Sequence, residues 1–307
     1  MIKTAVFSLW TKPQQTAAEF DNHIPTSGYP DLECLLNSAA LSVRQARKHF
    51  DEVRFYTDNA GKAMLCDECG IFKEEEVTTL FETYEDFMPM MDIHKDLWSY
   101  GKLAVYSQME VPFAHIDLDA YLFAPLRPKA DSARIIAQGL ESADWRLYNT
   151  SRAYFKENDF ILPAEYHRYE ANVREKIAYN CGIFGGNDLE LIKELADGAL
   201  KVFRDNYDKI ILQDPSMMSD FNVSIEQYIP TTVLHSKGIR PELIMKNNYD
   251  PREWKNKCFG WLHFFGEAKF KRSNNNAIRN ALRSRPFSKF ANEPVVQDWV
   301  AMIDRLA

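Results

Sequence analysis

The order of three segments near the start of the chain most constrains what it can fold into. Thr4–Leu9 (TAVFSL) reads as a short buried strand. A polar loop follows and ends at Gly28, Tyr29 and Pro30. Leu32, Leu35, Leu36, Ala39, Ala40, Val43 and Ala46 then recur at helical spacing, with Arg44, Arg47 and Lys48 on the outer face or in the last turns. Residues 53–57 read as a second strand, stopped by Asp58, Asn59, Ala60 and Gly61. A strand, a helix and a strand in that order imply a parallel pair joined by a right-handed crossover. An α/β fold class follows.

Further along, a helix is expected at residues 98–108 and a strand at 111–116. Residues 144–148 (DWRLY) alternate as a strand would, and the polar, tyrosine-rich stretch after them suits a lid or an acceptor-side insertion spanning about 130–180. Asn187, with Glu190 three residues on, is expected to cap a helix that carries Leu191, Leu195, Ala199, Val202 and Phe203 and ends near Asn206. Two last helices are expected at 275–283 and 293–306, separated by Pro286. Neither a repeat nor a low-complexity linker forces a boundary. Residues 1–272 are expected as one domain and 273–307 as a helical extension.

Composition narrows the class. With a formal net charge of −7, the chain lacks the dominant positive field that nucleic acid binding needs. No run approaches the roughly 18 apolar residues of a membrane span. The opening residues show no small-residue cleavage site, and five irregularly spaced cysteines make no disulfide framework. A soluble, cytoplasmic protein is expected. The charge is uneven, however: residues 267–290 hold seven basic side chains against one acidic. That segment reads either as a solvated basic helix or as a peripheral contact with an anionic membrane surface.

Three islands carry candidate chemistry. In the first, an apolar run from Val111 enters Asp117 and Asp119. If the chain is extended there, both carboxylates point the same way and can share one hard divalent cation, Mg²⁺ or Mn²⁺. With 22 aspartates, chance alone supplies about 1.6 such spacings, so position at a strand's carboxyl end gives the pair its weight. A turn or a helix cap is the competing reading. The second island is His263, Gly266 and Lys269. Chance supplies about 0.02 of that spacing. The imidazole suits a borderline cation, the glycine admits phosphate to the backbone and the lysine supplies charge to it; a buried histidine before a basic turn is the alternative. In the third, Asn180 and Gly182 read as a turn feeding a short strand. An amide there can bond sugar hydroxyls, or the following glycines simply permit close packing. Cys66 and Cys69 have redox-like spacing without a second pair to complete a zinc site.

Asp117-Leu-Asp119, Asn180-Cys-Gly-Ile-Phe184 and His263-Phe-Phe-Gly-Glu-Ala-Lys269, in that order, resemble the nucleotide-sugar glycosyltransferases of the GT-A fold. They look closest to the glycogenin and galactosyltransferase-like retaining family. Lys102 and Leu103, before the aspartates, are similar to that family's K-L segment, and Glu226-Gln227 stands where the family often has Asp-Gln. The resemblance implies a Rossmann-like, mostly parallel sheet flanked by helices. It also implies a nucleoside-diphosphate sugar donor, a Mn²⁺ or Mg²⁺ cofactor, and a glycan, lipid-linked or protein acceptor, with surface polysaccharide synthesis as the setting. By the same resemblance Asp117, Asp119 and His263 would serve the metal, with Asp117 also near the ribose. Gly266 and Lys269 would hold the diphosphate, Lys102, Asn180 and Gly182 would face the donor sugar, and Gln227 and Glu226 would stand at the reacting centre. Phe270 replaces the family's usual proline, and Glu226 is a methylene longer than aspartate. Retention and inversion therefore both stay open, since Glu226 would suit an acceptor base. Two other functions compete: a non-catalytic sugar- or glycan-binding relative, and a metal-dependent phosphoryl-transfer or hydrolytic enzyme.

Overall fold

Hydrophobic period sets where the elements fall, and single polar residues set where they start and stop. The computed structural model describes residues 1–11, 29, 32–80, 97–122, 124–210, 218–244, 261–263, 276, 278 and 279, with 218–219 and 261–263 by backbone alone. In chain order the main elements are β1 (Thr4–Leu9), α1 (Leu32–His49), β2 (Glu52–Thr57), β3 (Val77–Thr79), α2 (Trp98–Gln108), β4 (Phe113–Ile116), β5 (Ala120–Leu122) and β6 (Ile136–Ser142). They continue with α3 (Arg146–Glu157), α4 (Ala164–Asn172), β7 (Ile177–Gly186), α5 (Leu189–Asp205), α6 (Ile229–Ser236), β8 (Glu242–Leu243) and β9 (Trp261–His263). The protein is mixed α/β. Among the described residues its main sheet counts seven strands, most of them parallel, and β5 with β9 forms a separate pair. No described helix is long and apolar enough to cross a membrane.

The chain divides into two compact units, the first made of residues 4–89, 116–125 and 257–307 and the second of residues 1–3, 90–115 and 126–256. The boundary expected at 272/273 lies outside the described residues.

In the first unit β1 and β2 run parallel from Thr4↔Glu52 to Leu9↔Thr57, and β3 adds to β2 at Phe55↔Val77. Their core is aromatic: Phe55 stacks on Phe72 at 4.0 Å, with Phe7 edge-on at 5.6 Å. Helix α1 buries Leu35, Leu36, Ala39, Val43 and Ala46 as its periodicity requires, and it also buries Ser38 and Ser42. Asp58 ends β2 and caps the next short helix. Its carboxylate accepts from the Gly61 amide at 2.8 Å and the Thr11 amide at 2.7 Å.

In the second unit β6 and β7 are antiparallel, β8 is parallel to β6, and the β6–β7 register shifts between Ala137 and Gly139. Helix α2 has no side-chain cap of its own; Asn222 Oδ1 takes the Ser99 amide at 3.0 Å and its hydroxyl at 2.8 Å. Strand β7 ends on Gly185 and Gly186, at φ +154° and +142°, where a Cβ would stand 2.1 Å from the carbonyls of Phe113 and Arg134 respectively. That close approach is what the glycines allow.

Two expectations fail here. Residues 144–148 form no strand: Trp145 is the N-cap of α3, which buries Tyr148, Ser151 and Phe155 on one helical face. Helix α5 is capped by Asp188, whose carboxylate accepts from the Leu191 amide at 3.1 Å, and not by Asn187. Asn187 is already committed, donating to the carbonyls of Asp131 and Ala133 at 3.0 and 2.8 Å. Arg134 holds the Asp188 carboxyl below its usual range, the Leu191 amide adding to the effect against its desolvation. Of the two expected C-terminal helices, residues 276, 278 and 279 are helical, while 293–306 lies outside the described residues.

Candidate functional site

Each unit holds one cluster of candidate residues. In the first, Asp117 and Asp119 do not stand on an extended strand. Residues 117–120 make a turn closed by the Ala120 amide on the Asp117 carbonyl at 2.9 Å. The reason is that β4 stops at Ile116 and β5 leaves to pair with β9, so the backbone must change direction between the acids. Alternation along a strand therefore does not apply to them. Asp119 is 4% exposed.

Helix α1 reaches this turn with two hydroxyls. Ser38 Oγ donates to the Leu118 carbonyl at 2.8 Å; Ser42 Oγ lies 2.5 Å from the Ala120 carbonyl and 3.4 Å from that of Asp117. Ser38 Oγ is also 2.6 Å from the Tyr29 and Tyr121 hydroxyls. Burial pushes the Tyr29 phenol well above its usual range, with the charges of Asp119, Tyr121 and Asp117 adding and the Ser38 hydrogen bond opposing. Burial does the same at Tyr121, against the Ser38 bond and with Asp119 adding. Both phenols thus keep their protons at neutral pH, and both sense the Asp119 charge.

Strand β9 pairs antiparallel with β5 in the register Ala120↔His263, Tyr121↔Leu262 and Leu122↔Trp261. The backbone of His263 therefore sits across from the residue that follows Asp119. Gly266 and Lys269 lie outside the described residues.

The second cluster joins charges to one another. Lys102, on α2, is ion-paired with Glu226 at 2.7 Å, with side-chain exposures of 6% and 1%, and it donates to the Cys181 carbonyl at 2.9 Å. Glu226 and Gln227 lie in a widened π-helical turn, Ser224–Tyr228, that leads into α6. Pro230 accounts for the widening. It has no amide to give to the carbonyl of Glu226, four residues back. The Ile229 amide bonds Ser224, five back, and the Cys181 thiol approaches the Glu226 carbonyl at 3.8 Å.

Asn180 and Gly182, expected in a turn before a strand, lie inside β7. The turn-forming bond is nevertheless made, from the Gly182 amide to Asn180 Oδ1 at 2.9 Å, beside the register shift. Asn180 Nδ2 donates to Glu141 at 2.6 Å. The Tyr148 hydroxyl also meets the Glu141 carboxylate and lies 2.8 Å from Gln227 Oε1. Burial, then the Glu141 charge and hydrogen bond, then Cys181 and Glu226, push the Tyr148 phenol well up. The second cluster thus gathers Lys102, Asn180, Gly182, Glu226 and Gln227 in one unit.

The redox-like cysteines are not a reactive pair. Burial pushes Cys66 up to about 11 and Cys69 to about 12, with neighbouring acids adding, so both are thiols at neutral pH. Cys66, Asp67 and Glu74 converge, but Glu74 is taken by Lys62 at 2.6 Å.

Residues 3–292 match the model of a family described as a family of unknown function, DUF6734. The chain belongs to that family. None of the curated proteins matches this DUF6734 chain. Solved structures similar to it include two glycosyltransferases. One is the apo form of mouse xyloside xylosyltransferase 1, at 13% identity over 79% of this chain and 85% of that one, with a TM-score of 0.34. The other is the PaToxG glycosyltransferase, at 11% identity over 92% of this chain and 87% of that one, with a TM-score of 0.35.

Sequence reasoning missed four groups that this DUF6734 chain builds into its clusters: Ser38 and Ser42 in one, Glu141 and Tyr148 in the other. The serines carried a signal, since they interrupt the apolar face of α1 four residues apart. Glu141 carried none, because its partners come from β7 and α3.

Proposed function

We propose that the chain is a metal-dependent glycosyltransferase of GT-A-like fold, moving a sugar from a nucleoside-diphosphate sugar to a glycan, lipid-linked or protein acceptor. The observation that carries this reading is the register of β5 with β9. It sets the His263 backbone beside the Asp117–Asp119 turn, uniting two motif islands that are far apart in sequence. The donor chemistry suits a hard divalent cation, Mn²⁺ or Mg²⁺: carboxylate oxygens on a turn, one of them on a residue 4% exposed, where positive charge would offset the cost of burying the acid. Asp117, Asp119 and His263 are the residues that would hold it. Such an ion supplies positive charge to the departing diphosphate.

Gly266 and Lys269 follow His263 in the order the reading requires, and Lys269 would add a mobile charge at the diphosphate. The basic residues from Lys269 onward would draw an anionic donor, or touch an anionic membrane surface carrying a lipid-linked acceptor. On the sugar side, Lys102 is held in place by Glu226 and the Cys181 carbonyl, so its ammonium is oriented before any ligand arrives. Asn180 and Gln227 supply amides whose orientation Glu141 and Tyr148 support. Glu226 is read as the partner of Lys102.

The test is turnover of UDP-, GDP- and CMP-sugars with and without Mn²⁺, wild type against Asp119→Ala, with folding followed by circular dichroism. Mn²⁺-dependent release of an intact nucleoside diphosphate, lost in the folded variant, is the expected result. Full activity in Asp119→Ala overturns the reading. Inorganic phosphate as the product favours a phosphoryl-transfer enzyme, and donor binding without turnover a non-catalytic relative.

A further inference from the structure

We infer that Ser38 and Ser42 are positioning residues for the acidic turn, through which α1 sets the cation affinity of Asp117 and Asp119. The inference rests on the metal-dependent reading above and concerns groups that reading does not use.

Hydroxyl valence carries the first half of it. A serine oxygen has one proton to give and two lone pairs to receive. Ser38 Oγ has three partners: the Leu118 carbonyl at 2.8 Å and the Tyr29 and Tyr121 hydroxyls at 2.6 Å. A carbonyl only accepts, so the serine proton goes to Leu118. The Tyr29 hydroxyl donates to Ser38, and the Tyr121 hydroxyl closes the same network from β5. Three partners around one oxygen hold Ser38 Oγ in place against the turn.

Peptide geometry carries the second half. The Leu118 carbonyl belongs to the peptide unit that enters Asp119, and Ser38 holds it. The Ala120 amide belongs to the unit that leaves Asp119, and the Asp117 carbonyl holds it at 2.9 Å. With both flanking planes fixed, the two backbone dihedrals of Asp119 are fixed as well. Ser42, four residues along the same face of α1, holds the next unit through the Ala120 carbonyl at 2.5 Å. The helix therefore grips the turn at alternate peptide units around its buried acid. Cation ligands need placement within about 0.2 Å, so this grip is the natural source of affinity.

The experiment titrates Mn²⁺ alone into the full chain, following free Mn²⁺ by electron paramagnetic resonance, for wild type, Asp119→Ala, Ser38→Ala and Ser42→Ala. Loss of binding in Asp119→Ala is expected. Groups that orient ligands from behind typically alter metal affinity by about 10–100-fold, so Ser38→Ala should raise Kd about tenfold or more, and Ser42→Ala less. In turnover assays the Mn²⁺ concentration for half-maximal rate should rise while kcat at saturating Mn²⁺ stays within about twofold, a split that general loss of folded protein would not give. Wild-type Mn²⁺ affinity in both serine variants, with binding lost in Asp119→Ala, overturns the positioning role and leaves the metal reading standing. Undiminished Mn²⁺ binding in Asp119→Ala overturns the metal reading, and the inference with it. Should Ser38→Ala fail to fold, Ser42→Ala decides the same question from the other side of the turn.

Discussion

In the unit that carries Asp117 and Asp119, neutral hydroxyls hold the candidate acids by bonding their backbone; in the unit that carries Lys102, charged side chains hold one another. In the first arrangement Ser38, Ser42 and the turn all bond peptide groups. The second commits its charges internally, Lys102 to Glu226 and Glu141 to Asn180 and Tyr148. The physical difference is in what happens when one member is removed. A lost neutral bond costs little unless a buried group is orphaned, whereas a lost partner in a buried ion pair leaves a charge in a medium that cannot solvate it.

The sharpest way to break the contrast is Lys102→Met. Removing the ammonium paired with Glu226, 1% exposed, is expected to destabilise the protein by about 3–5 kcal/mol in urea unfolding. The double variant Lys102→Met/Glu226→Leu should recover most of that loss, since burying two apolar side chains avoids the desolvation penalty. A cost below about 1 kcal/mol for the single variant would put the pair in the class of solvated ion pairs and end the comparison.

Next comes Glu141→Gln, which keeps the shape but removes the charge that Asn180 and Tyr148 address. A loss of about 1.5–3 kcal/mol is expected in the same measurement, the range of hydrogen bonds to a charged group. If Asn180 and Gln227 serve the donor sugar, KM for the donor should rise as well. Ser42→Ala probes the other cluster and should be milder, about 1 kcal/mol, with the effect concentrated in Mn²⁺ affinity.

The smallest contrast is on the alkaline side, where the clusters share a property. Tyr29 and Tyr121 in one and Tyr148 in the other all have raised folded-state values. Such a group contributes stability that is fully present below its unfolded value of about 10 and is lost as pH rises from there through the folded value. Melting temperature should therefore fall above about pH 10, and Tyr121→Phe and Tyr148→Phe should each flatten that fall. A flattening confined to one of the two variants would separate the environments that burial makes alike.

How much was legible follows the range of the interactions involved. Strand β1, α1 and β2 were readable because their signal is local: Val6 and Phe7 beside a helix with Leu35, Ala39, Val43 and Ala46 on one face. Trp145 and Leu147 misled, since two turns of an amphipathic helix and a short alternating strand share a pattern over five residues. Only Ser151 and Phe155, further on, reveal the helical face. Asn187 misled for a different reason: its side chain chose tertiary carbonyls over the helix end, a competition sequence does not report. The site divides the same way. Lys102, Asn180, Glu226 and Gln227 were all named from sequence, and they meet; Glu141, which links two of them through side chains, was invisible because Asn180 and Gln227 lie far from it along the chain.

The five crossings of the chain between its two units carry a consequence for biosynthesis. On a ribosome, residues 116–125 emerge long before residues 261–263, so β5 must wait without its partner strand until most of the chain has been made. The second unit likewise begins before the first is finished and closes only at residue 256. Each unit thus waits for segments made long after its first residues, which sets this protein apart from chains that fold domain by domain from the N-terminus. Long-range closure of this kind is slow. Among the described strands, the one that pairs beside the candidate metal turn is the last to appear, so that turn would be completed late.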